Sequence, residues 1–262
     1  TNTSRRIAYA AARPSSSVTG STSMRGGLTT SASGVRGAQV ERALQVGGVP
    51  RAEAHRPPGA RVLEVQCTGL IATADNAGVI GQHSGHMPLW SFLAQPPLTR
   101  PGPKMRGIIG ALTTPRHEIL PLLHELSATV LDQVPYAVGE TAVHTTGEEA
   151  AALGMGVCQD QAHVFLAACR TAGVPARYVS GYLLSGGEGD IASHAWVDVW
   201  LEQSGAWLGI DVTHQSVAGA QHCRLAVGRD YLDAAPVRGV RRGGGRETLE
   251  VRVLVASENS QQ

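Results

Sequence analysis

An amphipathic pattern between Gly154 and Val174 predicts a helix that carries a cysteine in its first turn. Small or apolar residues lie four, seven, eight and eleven positions after Cys158, at Ala162, Phe165, Leu166 and Cys169. Residues at this spacing share one stripe of a helix, so we expect the stripe, with the cysteine at its start, to face a core. Gly173 and Pro175 provide the signals that end such a helix.

Alternation of apolar and polar residues further along the chain predicts a β-hairpin. One face of the first strand, residues 194–201, would carry His194, Trp196, Asp198 and Trp200. Residues 206–213 form the second strand, and residues 202–205 are long enough for the loop. If Leu201 pairs with Ala206, His194 and Asp211 become diagonal neighbours on one face of the sheet.

The same periodicities place the other elements. We predict a helix that starts at Pro115 and a short helix with a Thr146–Glu149 capping box. Strands are predicted over residues 5–13, 40–46, 61–72, 176–184 and 248–255. Residues 14–37 are so rich in Ser, Thr, Gly and Ala that they have little to bury.

Proline content then suggests how the chain is divided. Five prolines between residues 86 and 104 disfavour a regular helix there and favour an extended linker. We therefore predict a small antiparallel β domain over residues 1–85, a proline-rich linker over 86–105 and a catalytic domain over 106–262. The fold class is α+β.

Composition narrows the classes of function. The chain has 262 residues, 42% of them hydrophobic, and a net charge of +1, which argues against a nucleic-acid or membrane partner. Its four cysteines form no CxxC pair and have no metal-ligand spacing with histidine, so we expect no disulfide framework and no metal site. The sequence contains neither a long apolar run nor a signal-peptide pattern, and we expect a cytoplasmic protein.

Cys158 is a candidate nucleophile only if a partner helps to remove its proton. A free thiol has a pKa of roughly 8.5, and a helix N-terminus stabilises a thiolate by at most about 2 kcal/mol. His194, oriented by Asp211, would supply the base. Each residue also has a structural interpretation, because Cys158 and His194 could belong to the core and Asp211 to a turn.

Several separated motifs resemble the transglutaminase-like superfamily of cysteine enzymes, and more narrowly its bacterial cysteine protease group. They are Gly156-Val157-Cys158-Gln159-Asp160, Arg170, the run from Gly173 to Tyr182, His194-Ala195-Trp196, Asp211-Val212-Thr213, Gly228-Arg229-Asp230-Tyr231 and Pro236. The resemblance implies a papain-like core, in which a helix that begins with the catalytic cysteine packs on an antiparallel sheet or barrel. It also implies a triad in which Cys158 is the nucleophile, His194 the general base and acid, and Asp211 the orienting group. The family commonly has Asp-Pro-Thr where this chain has Asp211-Val212-Thr213.

The triad would form a thioester with an amide or peptide substrate. The Cys158 N–H is the first oxyanion donor that we expect, and Gln159, Trp196 and Tyr182 are candidates for the second donor or for the substrate lining. Asp160 is expected to have a structural role at the helix start. Water as the second substrate makes the protein a peptidase or amidase, and an amine makes it a transamidase. A binding module without activity is the third hypothesis. No clustered acidic loop suggests a calcium site, so we expect no cofactor.

Overall fold

The computed structural model describes residues 4–11, 18–23, 29–34, 39–46, 49–55, 66–184, 193–235 and 253–257, with side chains over residues 73–184, 193–235 and at Val253. Its strands are β1 Ser4–Ala11, β2 Val18–Ser23, β3 Thr29–Gly34, β4 Gln39–Val46, β5 Val49–His55, β6 Gln66–Ala74, β7 Val79–Gly81, β8 Ala176–Leu183, β9 Ser193–Leu201, β10 Ala206–Asp211, β11 Ser216–Val217, β12 His222–Gly228 and β13 Val253–Ser257. Its α-helices are α1 Pro103–Gly110, α2 Ile119–Gln133, α3 Gly147–Leu153, α4 Cys158–Thr171 and α5 Tyr231–Ala234. Two 3-10 helices, Leu89–Leu93 and Pro97–Thr99, precede α1. None of the described helices is long and apolar enough to cross a membrane.

The sheet that carries the candidate site is antiparallel, with the strand order β11-β10-β9-β8-β12. Helix α4 packs against β9 and β8, and it buries the predicted stripe, Ala162, Phe165, Leu166 and Cys169. The helix ends close to the predicted stop, where Gly173 has a φ of +81°. The α+β fold, with a helix that begins at the cysteine and packs on a curled antiparallel sheet, is confirmed.

The second face of β9 is also buried, although it carries polar residues. Asp198 on this face is fully buried, and its carboxylate accepts hydrogen bonds from Arg177 Nε at 2.8 Å and Arg224 Nη2 at 2.8 Å. Paired guanidinium donors compensate the cost of taking this carboxylate out of water. The sheet therefore curls around a polar layer on one side while its other side packs on α4.

The N-terminal strands form a second sheet with the order β13-β1-β6-β3-β2, and β4 and β5 form a separate hairpin. The strands predicted over residues 5–13 and 61–72 are present as β1 and β6. Strands β2 and β3, however, lie in the segment that we expected to have little to bury. Strand β5 was also missed, and it pairs with β4. Strands of Ser, Thr, Gly and Ala give a weak periodic signal, since backbone pairing does not require bulky side chains.

Helix predictions were correct where a capping residue was present. The Thr146 hydroxyl accepts the Glu149 N–H at 3.2 Å, and the Glu149 carboxylate accepts the Thr146 N–H at 2.8 Å, which confirms the capping box of α3. The start of α2 was wrong by four residues, because the helix begins at Ile119 and places Pro121 in its first turn. Helix α1 lies partly in the predicted linker and begins with Pro103, where proline is well tolerated.

Two strands cross the predicted domain boundaries. Strand β7, within residues 1–85, pairs with β10 of the larger sheet. Strand β13, within residues 106–262, pairs with β1 of the N-terminal sheet. The division into three segments stays a prediction, but the sheets do not follow it.

Gly181 on β8 is required by close packing between strands. A Cβ at this position would overlap the carbonyl oxygen of Cys223 on β12 and the ring of Trp196 on β9. The backbone of β12 and the indole of Trp196 therefore occupy space that another residue would fill.

We expect Gly181→Ala to lower the free energy of unfolding by about 1–3 kcal/mol, the usual cost of overpacking. The matched control is Gly107→Ala within α1, where no atom lies within 4 Å of the added Cβ. This control should leave stability unchanged or raise it by up to about 1 kcal/mol. Urea unfolding of both variants checks the prediction, and equal midpoints would contradict it.

Candidate active site

The turn that carries Cys158 is held by a carboxylate three residues into the helix. Asp160 is fully buried, and its Oδ2 accepts the Val157 N–H at 2.8 Å and the Thr141 hydroxyl at 2.7 Å. A Cβ on Gly156 would lie 2.7 Å from the Cβ of Asp160, so a glycine is needed at this position. The Gly-x-Cys-x-Asp motif is thus explained by the start of the helix, and the structural role expected for Asp160 fits these contacts.

A neighbouring loop is tied to this turn and forms one side of the site. The Ala137 N–H donates to the Gly156 carbonyl at 2.8 Å, and the Gly156 N–H donates to the Pro135 carbonyl at 3.1 Å. The Gln159 amide donates to the Val143 carbonyl at 3.1 Å. These contacts fix residues 135–143 beside Cys158.

The hairpin has the predicted register. Leu201 pairs with Ala206, and the pairing continues as far as Val197 with Ile210. His194 and Asp211 lie beyond this last pair on the same face, and His194 Nε2 is 2.8 Å from Asp211 Oδ2. The structure therefore brings the predicted histidine and aspartate together, and both side chains are buried.

This contact fixes the protons of the His194 ring. An ionised carboxylate can only accept, so Nε2 must carry the hydrogen and Nδ1 is left with a lone pair. Burial alone would raise the pKa of Asp211, but hydrogen bonds from His194 and His222, with the charges of nearby histidines, hold it well below its usual range. Asp211 is therefore ionised, and His194 Nδ1 is able to accept a proton.

The Cys158 sulfur lies next to the backbone of the histidine strand. Burial raises the pKa of the thiol to about 11, and the charge of Asp211 adds to this rise. Hydrogen bonds from the N–H groups of Ala195, the residue after His194, and Gln159 act in the opposite direction. With this pKa the cysteine is mostly a thiol near neutral pH, so its reactivity depends on a base.

The three other predicted site residues lie in different surroundings. Gln159 is partly exposed, and its amide is engaged with Val143. Trp196 is buried and stacks on His194 with a ring separation of 6.0 Å, and its Nε1 has no hydrogen-bond partner among the described residues. Tyr182 is buried on β8, opposite Ser193 and Cys223. Their roles as oxyanion donors or substrate lining stay predictions.

Three residues near the site were missed in the sequence. His214 and His222 both contact Asp211 Oδ2, at 2.8 Å through Nδ1 and at 3.0 Å through Nε2. Tyr136 is half exposed, and its pKa is raised by burial and by the charge of Cys158. For His214 the signal was its position three residues after Asp211, whereas His222 and Tyr136 come close only through the tertiary fold.

We expect Asp160→Ala to lower the free energy of unfolding by about 1–3 kcal/mol, because it leaves the Val157 N–H and the Thr141 hydroxyl without their acceptor. The matched variant is Asp160→Asn, which keeps one acceptor oxygen and removes the negative charge. Burial disfavours that charge, because it raises the pKa of the Asp160 carboxyl group. Asp160→Asn should lower the free energy of unfolding by less than Asp160→Ala does. Urea unfolding measures both, and equal losses would mean that the charge itself is required.

Part of this chain is similar to known proteins. Residues 108–212 match the model of the transglutaminase-like superfamily core. An uncharacterized protein of Mycobacterium leprae is 40% identical over 131 residues, which are 48% of this chain and 45% of that protein. A protein-glutamine gamma-glutamyltransferase of Pseudomonas aeruginosa is 34% identical over 103 residues, 34% of this chain and 15% of that enzyme. The chain therefore spans less than half the length of these relatives.

A solved structure has the same fold over the whole chain. It is a candidate cysteine protease from Cytophaga hutchinsonii, with a TM-score of 0.64 and 18% identity, and the match covers 100% of this chain and 90% of that protein. At this level of identity the likeness concerns the fold alone. Residues 108–212 are thus similar to the core of the transglutaminase-like superfamily, and the fold resembles that of this solved structure.

Proposed function

We propose that this protein is a cysteine-dependent peptidase or amidase that uses Cys158, His194 and Asp211. The observation that carries the proposal is the 2.8 Å hydrogen bond between His194 Nε2 and Asp211 Oδ2, which leaves Nδ1 as the basic nitrogen. The Cys158 sulfur also accepts a hydrogen bond from the N–H of Ala195, the residue directly after His194, and this contact supports the proposal. The family match supports the same class of chemistry.

The acylation step follows from the charges at the site. His194 Nδ1 accepts the Cys158 proton as the sulfur attacks the carbonyl carbon of the substrate, because the thiol pKa is too high for free thiolate. The carbonyl π electrons move to oxygen, where backbone N–H groups at the start of α4 can stabilise the oxyanion. The oxyanion then collapses, the carbon–nitrogen bond breaks and the leaving amine takes the proton from His194. A thioester on Cys158 remains.

Deacylation repeats these steps with water. His194 accepts a proton from the water molecule, whose oxygen attacks the thioester, and the carbon–sulfur bond breaks. The sulfur recovers its proton from His194 and the carboxylic acid leaves. The substrate is a peptide or protein. A cytoplasmic location is part of this proposal, and the free thiols of Cys158, Cys169 and Cys223 are compatible with it.

Transamidation is the second candidate, supported by the similarity to the Pseudomonas aeruginosa glutamyltransferase. The acyl-enzyme would be the same, but a primary amine would attack the thioester in place of water. We favour hydrolysis, which requires no second binding site for an amine.

We expect iodoacetamide to alkylate Cys158 far faster than Cys169. Cys169 is buried, and burial raises its thiol pKa to about 12, whereas in this proposal Cys158 has His194 as its base. His194→Ala should remove most of the difference, because Cys158 then keeps its high pKa with no proton acceptor. Mass spectrometry of the labelled peptides measures both rates. Equal labelling of the two cysteines in the natural protein would count heavily against the proposal.

We expect hydrolysis to exceed amine incorporation when a glutamine-containing peptide library is incubated with a primary amine. Cys158→Ser should abolish both products, which shows that they arise at this site. Mass spectrometry distinguishes the acid from the amine adduct. An excess of adduct would establish the transamidase instead.

A further inference from the structure

Asp211 is surrounded by more donors than a catalytic triad needs. Three imidazoles share its Oδ2: His194 Nε2 at 2.8 Å, His214 Nδ1 at 2.8 Å and His222 Nε2 at 3.0 Å. Its Oδ1 accepts the backbone N–H of His214 at 3.2 Å. Since Asp211 is fully buried, these groups take the place of water around the charge.

The backbone fixes the protonation state of His222. The Gly219 N–H donates to His222 Nδ1 at 3.0 Å, so this nitrogen must carry a lone pair. Nε2 then carries the only ring hydrogen and donates it to the Asp211 carboxylate. His222 is therefore held as a neutral donor, because protonation of Nδ1 would break its hydrogen bond with Gly219.

His214 differs in its exposure. Its side chain is 50% exposed, whereas that of His222 is only 3% exposed. Solvent can exchange protons with His214 and can replace part of its contact with Asp211. The buried His222 has no such replacement, so the two donors on the same oxygen are not equivalent.

The residues of this cluster have the types that bind metals. Donor atoms of His194, Asp211 and His222 lie within 4.8 Å of one another. A metal at this point would need the lone pair of His222 Nε2, which here is the protonated nitrogen. It would have to displace that hydrogen and break the contact with Gly219, so the arrangement fits a hydrogen-bond cluster better than a metal site.

The ring of His222 is also held by packing. Trp196 contacts it edge-on, with ring centroids 5.1 Å apart, and the same indole stacks on His194. Gly181 leaves the space that this indole occupies. One aromatic side chain thus supports two of the three imidazoles that meet at Asp211, those of His194 and His222.

From these contacts we infer that His222 is a positioning residue of the active site, which acts on His194 through Asp211. The inference rests on the proposed function. A donor fixed at 3.0 Å prevents the carboxylate from rotating away from His194 and stabilises its charge. His194 then keeps the orientation that directs Nδ1 as the base.

The test compares His222→Phe, which keeps a ring without a donor, with His222→Gln, whose amide can restore the donor. We expect His222→Phe to slow iodoacetamide alkylation of Cys158 about 10- to 100-fold, and His222→Gln to remain within about threefold of the natural protein. His214→Gln is the matched control on the same oxygen, and it should change the rate by less than about threefold.

The outcomes separate this inference from the proposed function. If the natural protein shows fast alkylation that depends on His194 while His222→Phe is equally fast, the positioning role is wrong and the enzyme remains. If His222→Gln is as slow as His222→Phe and both are folded, a restored donor does not restore the rate, which also overturns the inference. If Cys158 is not activated in the natural protein, the proposed function itself fails.

A measurement on the unmodified protein keeps the inference testable if a variant does not fold. Nitrogen-15 NMR of the imidazoles should find His222 neutral with its hydrogen on Nε2, as its contacts with Gly219 and Asp211 require. A charged His222, or one with its hydrogen on Nδ1, would overturn the assignment.

Discussion

The buried charge of Asp211 imposes the strongest constraint on this fold. A carboxylate out of contact with water is costly unless donors surround it, and here the donors come from three separate segments. His222 begins β12, which is separated from β10 by β9 and β8. In a flat sheet β10 and β12 would lie about 14 Å apart. The short contact between Asp211 and His222 is therefore possible because the sheet curls, and the interaction in turn favours the curled form.

The turn that carries Cys158 meets a second, local constraint. The start of α4 has no side-chain cap at Val157, and Asp160 reaches back to supply the missing acceptor. Gly156 has to lack a side chain for this contact to form. A single turn thus combines a buried carboxylate, a close backbone approach and the sulfur of Cys158. The loop over residues 135–143 gains its position from the same turn.

Sequence patterns predicted the parts of the site that depend on local periodicity. Alternation along residues 194–201 and a short loop determined the register that joins His194 to Asp211, and the helix stripe placed Cys158 in its first turn. His222 could not be found in this way, because it reaches Asp211 across two intervening strands and its own strand contains an irregularity between Arg224 and Ala226. The N-terminal strands β2 and β3 were missed for another reason. Their small polar residues have no apolar periodicity, and their pairing is decided by the backbone.

The pairing of β1 with β13 concerns how the chain reaches this state. Ile7 lies opposite Ser257, so the first described strand has its partner near the other end of the sequence. Contacts of such long range lose much chain entropy before they contribute stability, and they slow folding. During synthesis β1 cannot complete this edge until residues 253–257 have been made. The order of assembly is therefore opposite to the order of translation for this edge, and the enzyme-like core can acquire its structure before the N-terminal sheet is closed.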